Sequence, residues 1–374
     1  MKELDRLRKN IDKLDDEILA LLNRRSEIVI EVGNIKRTNK SRFYKPDRER
    51  QILERLTSRN KGPFPTDALK AIYREILSAS VSLEEPLKVS CLGPLGTFTH
   101  LAALRHFGSS SAFVPVDSIK KVFENVESGK AEYGVVPIEN SNEGVVSYTL
   151  DMFMDSDLKV VAEIILNVSH NLVSKQTDRA KIKKIYSHPQ ALAQCDRFLR
   201  SLAGVDVVAT YDTAGSARLI RDRGLATAAA IASARAAEVF GLDVVQAGIQ
   251  DHPDNITRFL IVGRGGGARE VPGADKTTIV FTLPNVAGAL FKALSVFALR
   301  DIDLTKLESR PIPGRPWEYL FYADIAVGAH EERCRRSLVH LAEFARSMRT
   351  LGSYPAWRRE GTGSTADADA SVTP

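Results

Sequence analysis

Apolar residues at Leu4, Leu7, Ile11, Leu14, Ile18 and Leu21, and again at Ile28, Val32 and Ile35, recur at intervals of three and four. That spacing puts them on one face of a helix. Neither Pro nor Gly interrupts the pattern before Gly33, so the chain is predicted to open with one long amphipathic helix carrying a coiled-coil-like seam. The seam position between Leu21 and Ile28 is Arg25, a cation where the pattern asks for an apolar side chain, and its burial requires a compensating anion or acid. A second helix opens at Pro46, which suits a first helical turn, with Asp47 and Glu49 complementing the dipole. A third follows Thr66 and runs toward Leu83.

At 374 residues the chain exceeds what one hydrophobic core organises, so two or three domains are expected. No run of about 18 apolar residues occurs, and the first twenty positions interleave Lys, Arg, Asp and Glu. These features argue against a signal peptide or membrane span and for a cytoplasmic location. Cys91, Cys195 and Cys334 are odd in number and far apart, without His or Cys at metal spacing, and read as small packing residues. The net charge of +5, from 52 basic and 47 acidic residues, suits an anionic small molecule and is too mixed for nucleic-acid binding.

From Leu87 to about Gly263 short strands alternate with helices: LKVSCLG, SAFVPV, YGVVPI, VVAEIILNVS, IKKIYS, VDVVAT and ATAAAI. This rhythm predicts parallel sheets in two α/β lobes around a cleft, the chain entering the second lobe after Val168 and returning near Asp251. Within it, Tyr133 to Asp151 reads as a strand that stops at Pro137 and delivers Glu139, Asn140 and Ser141 into a turn kept open by Asn142 and Gly144. Ligands bind at such carboxyl tips of strands. Gly93 to Thr97 form a second turn that lets backbone approach a ligand, with Thr97 or Thr99 capping the helix that follows. Beyond a glycine-rich linker, Gly263 to Lys276, the order strand, helix, strand, strand, helix is that of a small ferredoxin-like α+β unit. The end, EGTGSTADADASVTP, lacks apolar content and is predicted to be disordered.

Three strings taken together, GPLGTFTH (Gly93 to His100), Glu139-Asn140-Ser141 and NITRF (Asn255 to Phe259), resemble prephenate dehydratase over roughly Leu87 to Gly263. LRKNIDKLDDEILALLNRRSEI and DRERQILERL resemble the all-helical chorismate mutase domain. Gly288-Ala289-Leu290 with Glu308-Ser309-Arg310-Pro311 resemble the ACT domain of prephenate dehydratases. The resemblance implies a multidomain chain: an all-α chorismate mutase bundle over 1–86, a two-lobed α/β, periplasmic-binding-protein-like dehydratase domain over 87–264, a ferredoxin-like α+β ACT domain over 276–354, and a tail over 355–374.

The resemblance also implies residue roles. In the helical domain it points to Arg8, Arg25, Lys36, Arg48, Glu49, Ser80 and Glu84, with Arg25, Lys36 and Glu84 catalytic. Chorismate is a dianion whose rearrangement needs a charged cage and no covalent help. Arg8 precedes Arg25 by about 25 Å of helix, too far for both to touch one small molecule from one chain. A second subunit must therefore lend its Arg8, and an intertwined dimer is expected. Two positions depart from the family: Lys45 stands where some relatives carry an acid, leaving Glu49 alone near the substrate hydroxyl, and Glu84 stands where many have a glutamine. A glutamate donates to the ether oxygen only when protonated, so Glu84 is expected to have a raised pKa and mutase activity to fall as pH rises.

In the dehydratase domain the resemblance makes Thr257 catalytic, activated by proximity to Glu139 or Asn140. Thr97, Glu139, Asn140, Ser141, Phe259 and the Ser187-His188-Pro189-Gln190 turn are candidates for binding substrate carboxylates and hydroxyl. Arg258 either pairs with a substrate carboxylate or buttresses Glu139; His188 is either a general acid or a capping residue. Asn285, Gly288, Ala289, Leu290, Glu308, Ser309 and Arg310 match a phenylalanine site usually made between subunits, and Ala287 replaces a common proline. The implied function is conversion of chorismate to prephenate and of prephenate to phenylpyruvate, inhibited by phenylalanine, without metal or organic cofactor, nucleic acid or membrane. Two alternatives stay open: a dehydratase whose helical domain only dimerises or regulates, and a non-catalytic amino-acid-sensing binding protein.

Overall fold

A computed structural model describes residues 2–39, 44, 46–265, 273–312, 314–315 and 317–357. The expectations for Lys45, for most of the glycine linker and for the tail beyond Trp357 lie outside these residues. The chain divides into two compact units, Met1–Leu87 with Phe107–Ala112, and Lys88–His106 with Phe113–Pro374.

The first unit contains three helices, α1 (Lys2–Thr38), α2 (Pro46–Arg59) and α3 (Thr66–Glu84). Gly33, the residue that ends the uninterrupted pattern, is buried where α3 approaches: a Cβ there would stand 3.1 Å from Glu84 Cγ. Leu4, Leu7, Ile11, Leu14, Ile18 and Leu21 each keep half or more of their surface exposed. Ile28, Val32 and Ile35 are exposed as well, so the predicted seam exists and the described residues of this unit leave it largely uncovered.

The second unit begins with β1 (Lys88–Leu92), α4 (Phe98–Phe107), β2 (Ala112–Val116), α5 (Ile119–Glu127), β3 (Tyr133–Asn140), β4 (Gly144–Val145), α6 (Ser147–Asp155) and β5 (Lys159–Asn167). It continues through β6 (Asn171–Ser174), β7 (Lys184–Ser187), α7 (Pro189–Ala193), α8 (Asp196–Arg200), β8 (Asp206–Ala209), α9 (Thr213–Arg223), β9 (Ala228–Ala232), α10 (Ala234–Phe240) and β10 (Asp243–Gln246). Then β11 (Ile256–Gly263) returns to the first sheet, whose order is β2-β1-β3-β11-β5 with β4 paired to β3; the second is β10-β6-β9-β7-β8. The excursion after Val168 and the return after Asp251 fall where the sequence predicted. The sheets, however, are mixed rather than parallel: β11 runs antiparallel to both β3 and β5, and β6 antiparallel to β9 and β10. A returning strand enters its sheet from the opposite end, which the helix–strand rhythm does not record.

β3 also runs past Pro137, so Glu139 and Asn140 are strand residues and the turn is Ser141 to Glu143. Proline is tolerated here because pairing with β1 reaches only Val135, and the register against β11 shifts between Glu139 and Pro137, a bulge that needs no amide at that point.

The C-terminal part of this unit, β12 (Lys276–Thr282), α11 (Ala289–Ala298), β13 (Leu304–Pro311), β14 (Tyr319–Ile325), α12 (Glu332–Phe344) and β15 (Ser347–Tyr354), forms a four-stranded sheet of order β13-β14-β12-β15. The last strand, SMRTLGSY, is absent from the periodicity reading because Gly and Arg interrupt its alternation. One face of this sheet packs its helices through Ile279, Phe281, Ala323, Ala293, Val296 and Leu341. The other joins the first α/β sheet in a common core of Val280, Leu320, Tyr322 and Tyr354 with Ile138, Phe153, Leu260 and Val262. Cys91, Cys195 and Cys334 are free thiols in buried positions, as expected of packing residues.

Candidate functional site

Two polar constellations stand out, one in each unit. In the helical unit Gly33 brings the C-terminal halves of α1 and α3 together. Arg25 Nη1 donates to Ser80 Oγ, which itself donates to Ile76 O at 2.6 Å. Glu84, expected beside substrate carboxylates, is met by the ammonium of Lys36 at 2.6 Å. The compensation that Arg25 requires is thus a hydroxyl in a half-buried setting rather than an acid. Burial pushes the Glu49 carboxyl up to about 7, against the hydrogen bond from Tyr44 and the nearby charge of Arg74, which favour ionisation. Arg48 is exposed. Arg8 is exposed near the far end of α1, 3.8 Å from Asp5. The chain therefore brings together Arg25, Lys36, Ser80 and Glu84, and it leaves Arg8 apart, as the rise of the helix requires.

In the second unit a closed ring of hydrogen bonds links the two lobes. Asn140 Oδ1 accepts from the backbone N–H of Asn142 at 3.0 Å and of Glu143 at 3.2 Å. Those donors fix the amide orientation, so Asn140 Nδ2 must face the other way, where it donates to Asn255 Oδ1 at 2.7 Å and to Thr257 Oγ1 at 2.8 Å. Asn255 Nδ2 donates to Gln194 Oε1 at 2.9 Å, and Gln194 Nε2 donates to Glu143 Oε1 at 2.6 Å. His170 Nε2 also donates to Gln194 Oε1, at 2.7 Å, and burial holds the pKa of this imidazole below its ordinary value. Because Thr257 Oγ1 already accepts from Asn140, its own proton is the group it has to offer.

Asn255 and Gln194 carry no role in the sequence reading. Asn255 was legible in principle, since it lies immediately before β11 and two residues before Thr257, where extended backbone puts both side chains on one face. Gln194 lies one helical turn beyond Gln190 and is brought to the ring only by the fold.

Other expected residues fall differently. Thr97 caps α4: its Oγ1 donates to Leu92 O at 2.7 Å and accepts from the His100 amide at 3.2 Å. Ser141 Oγ donates to Asp254 O and accepts from the Ile256 amide, tying the turn to the start of β11. His188 takes the capping alternative, its Nδ1 accepting from the Gln190 amide at 3.3 Å, and Ser187 Oγ is committed to Ile231 O. Phe259 is only 1 % exposed and offers a ligand no surface, so it is a core residue rather than a binding one.

The larger correction concerns Arg258 and Glu139. Alternation along β11 sends Thr257 to one face and Arg258 to the other, and the register pairs Asn140 with Thr257 and Glu139 with Arg258. Glu139 is therefore turned away from Thr257 and cannot activate it; its carboxylate lies 2.9 Å from Lys306. Arg258 takes neither expected role. Its Nε donates to Glu163 at 2.7 Å, Nη1 to Asp324 at 2.5 Å and Nη2 to Tyr354 Oη at 3.2 Å. Burial opposes its charge, but Asp324, Tyr354 and Glu163 overcome that and hold the guanidinium above its ordinary pKa.

In the C-terminal sheet the register aligns Thr282, Leu320 and Arg310 in one row. The loop bearing Asn285 and Gly288 and the end of β13 thus lie at one end of the sheet, where Thr282 and Arg310 are two strand spacings, about 10 Å, apart. Gly288, at φ +78°, starts α11, with Ala289 and Leu290 in its first turn. The residues of the second motif divide: Ser309 lies on the helix-bearing face, whereas Glu308 and Arg310 lie on the opposite one, where Arg310 Nη2 is 3.2 Å from Asp151 of α6. A single-chain site using all seven residues is therefore not formed. A separate open groove of about 490 Å³, lined by Leu101, Leu104, Arg105, Ile165, Leu166, Asn167 and Trp357, contains no member of the ring, so volume alone does not mark the site.

The sequence profile described as Prephenate dehydratase matches residues 89–266, and that described as Chorismate mutase type II matches residues 7–85. A bifunctional chorismate mutase/prephenate dehydratase of Aquifex aeolicus (strain VF5) is 43% identical over 360 residues, 95% of this chain and 98% of its own. Among solved structures, the prephenate dehydratase of Arthrobacter aurescens in complex with L-Phe is similar with a TM-score of 0.66 at 35% identity, over 72% of this chain and 90% of its own. A protein described as a novel type of quorum-quenching acylase, GqqA, is similar with a TM-score of 0.67 at 31% identity, over 72% of this chain and 98% of its own.

Proposed function

Because this chain belongs to the family of bifunctional chorismate mutase/prephenate dehydratases, we propose that its two reactions run at the two polar constellations described above. It is a chorismate mutase and a prephenate dehydratase of phenylalanine biosynthesis, under feedback control. Arg25 and Lys36 hold the chorismate carboxylates, Arg48 and Ser80 complete the cage, and Glu49 meets the substrate hydroxyl. Arg8 comes from a second subunit whose α1 covers the exposed seam. A chorismate carboxylate competes with Glu84 for Lys36, and Glu84 faces the ether oxygen.

Prephenate binds between the lobes beside Asn140, Thr257, Asn255 and Gln194. Thr257 gives its proton to the departing ring hydroxyl, which leaves as water. The ring carboxylate leaves as carbon dioxide, its bonding pair completes the aromatic ring, and Thr257 recovers a proton from solvent. The observation that carries this reading is the fixed Asn140 amide, which donates to Thr257 and so leaves the hydroxyl proton as its free donor.

The C-terminal part, with the β-α-β-β-α-β order, is assigned as a ferredoxin-like ACT domain over 276–354, after domains at 1–86 and 87–264. Phenylalanine would bind where Asn285, Gly288, Ala289 and Leu290 of one chain meet Glu308, Ser309 and Arg310 of another. No helix among the described residues is long and apolar enough to cross a membrane, and the cytoplasm is the assigned location. Thr257→Ala is expected to abolish dehydration, by roughly a hundredfold or more, and to spare mutase turnover; Arg25→Ala should do the reverse. Loss of both activities in either variant would argue against separate sites.

A further inference from the structure

The C-terminal sheet and the sheet carrying Thr257 exchange charges across their common interface. Arg258 of β11 reaches Asp324 of β14 at 2.5 Å, and in the opposite direction Lys306 of β13 reaches Glu139 of β3 at 2.9 Å. The two pairs are neighbours, since Glu139 is opposite Arg258 in one sheet and Lys306 is opposite Asp324 in the other. Arg258 is held by Glu163 and Asp324, and Asp324 also accepts from Thr278 at 2.6 Å, so neither is disengaged to serve Glu139 or Lys306. The Lys306 side chain is only 8% exposed, so its ammonium depends on Glu139 for compensation. A register shift between Leu304 and Lys306 turns this lysine toward the dehydratase sheet.

Glu139 immediately precedes Asn140, and on a strand the two side chains project from opposite faces of one short backbone segment. Pinning Glu139 on one face therefore fixes the point from which Asn140 donates to Thr257 on the other. We propose that Lys306 is a positioning residue for dehydration, supplied by the C-terminal domain, which acts through Glu139 to hold the Asn140 amide against the Thr257 hydroxyl. This rests on the reading of Thr257 as the dehydration site. Lys306 shares its strand and face with Glu308 and Arg310, so a displacement of β13 is transmitted to Asn140 without passing through the lobes.

The test uses the full-length protein with Lys306→Met, which keeps the apolar stem, Lys306→Arg, Glu139→Gln and the double variant Lys306→Met/Glu139→Gln. Misplacement of a reacting group costs roughly 10- to 100-fold in turnover. Lys306→Met should therefore lose about that much dehydratase kcat, with KM and mutase turnover little changed. Lys306→Arg should restore most of it, and the double variant should be no worse than the poorer single one, because both remove one interaction. Unchanged kcat in Lys306→Met, or additive losses in the double variant, would overturn the proposal. If Lys306→Met does not fold, Glu139→Gln carries the same kcat-against-KM comparison. Thr257→Ala measured in parallel separates the two readings: persisting turnover there overturns the site assignment and this proposal with it, whereas loss there with normal Lys306→Met kcat overturns this proposal alone.

Discussion

The orientation of one side-chain amide decides which partner of the Thr257 hydroxyl is donor and which acceptor. Asn140→Asp replaces the donor by an acceptor of the same shape, so the carboxylate would capture the threonine proton on which the proposed dehydration depends. Dehydratase kcat should fall by about 10²–10³, the effect of removing one preorganised donor, with partial recovery at lower pH as the new acid is protonated. A rate equal to that of the parent at pH 7 would contradict the assigned polarity. Glu49 offers a second residue-scale test. Its carboxyl is held up to about 7 by burial, so the folded state binds the proton more tightly than the unfolded chain. The stability from this group is full below the ordinary carboxylate pKa and is lost as pH rises through about 7. Glu49→Gln, neutral at every pH, should flatten that decline in thermal melts of the helical unit between pH 5 and 8; an unchanged slope would refute the linkage.

The strands β3, β11 and β15 are where element geometry overrides sequence pattern. Glu139 and Asn140 are adjacent in a polar string that reads as a turn, yet as strand residues they serve different partners on different faces. The same alternation splits Thr257 from Arg258 and Ser309 from Arg310. At the other edge of the first sheet, β15 packs on β5 closely enough that a Cβ on Gly352 would stand 2.0 Å from the Val160 carbonyl oxygen. Backbone cannot yield there as a flexible side chain would. Gly352→Ala should cost about 1–3 kcal/mol or more, as overpacking does, lowering the unfolding temperature of the second unit while leaving mutase turnover intact. A melting temperature equal to the parent's would show that β15 can move off β5.

At the scale of the whole molecule, the exposed α1 seam, from Leu4 to Ile35, is the strongest statement about assembly. Full burial of a Leu or Ile contributes about 1.5–3 kcal/mol, so covering the exposed halves of the six seam residues from Leu4 to Leu21 on each of two chains contributes on the order of 10 kcal/mol, enough to offset much of the cost of association. On the proposed reading, a second copy of α1 would be the covering surface and would also supply Arg8 to the site. Leu14→Lys with Ile18→Lys should therefore shift the protein to a smaller species in sedimentation equilibrium and abolish mutase turnover, whereas dehydratase turnover should persist. A double variant that keeps both its assembly state and its mutase activity would show that the seam serves another purpose.

The helical seam, the three motif strings, the lobe excursion and the proximity of Thr257 to Asn140 follow from local spacing and from short strings, and so were readable from the chain alone. Periodicity reports which residues share an element, and a motif reports which residues act together. Neither reports the direction of a strand within a sheet or the side of a sheet on which a neighbouring domain settles. That is why the antiparallel return of β11, the diversion of Arg258 to Asp324, the pairing of Glu139 with Lys306 and the recruitment of Gln194 emerged only in three dimensions. Each depends on residues separated by tens to hundreds of positions meeting across an interface, where strand alternation and the cost of burying an unpaired charge choose the partner.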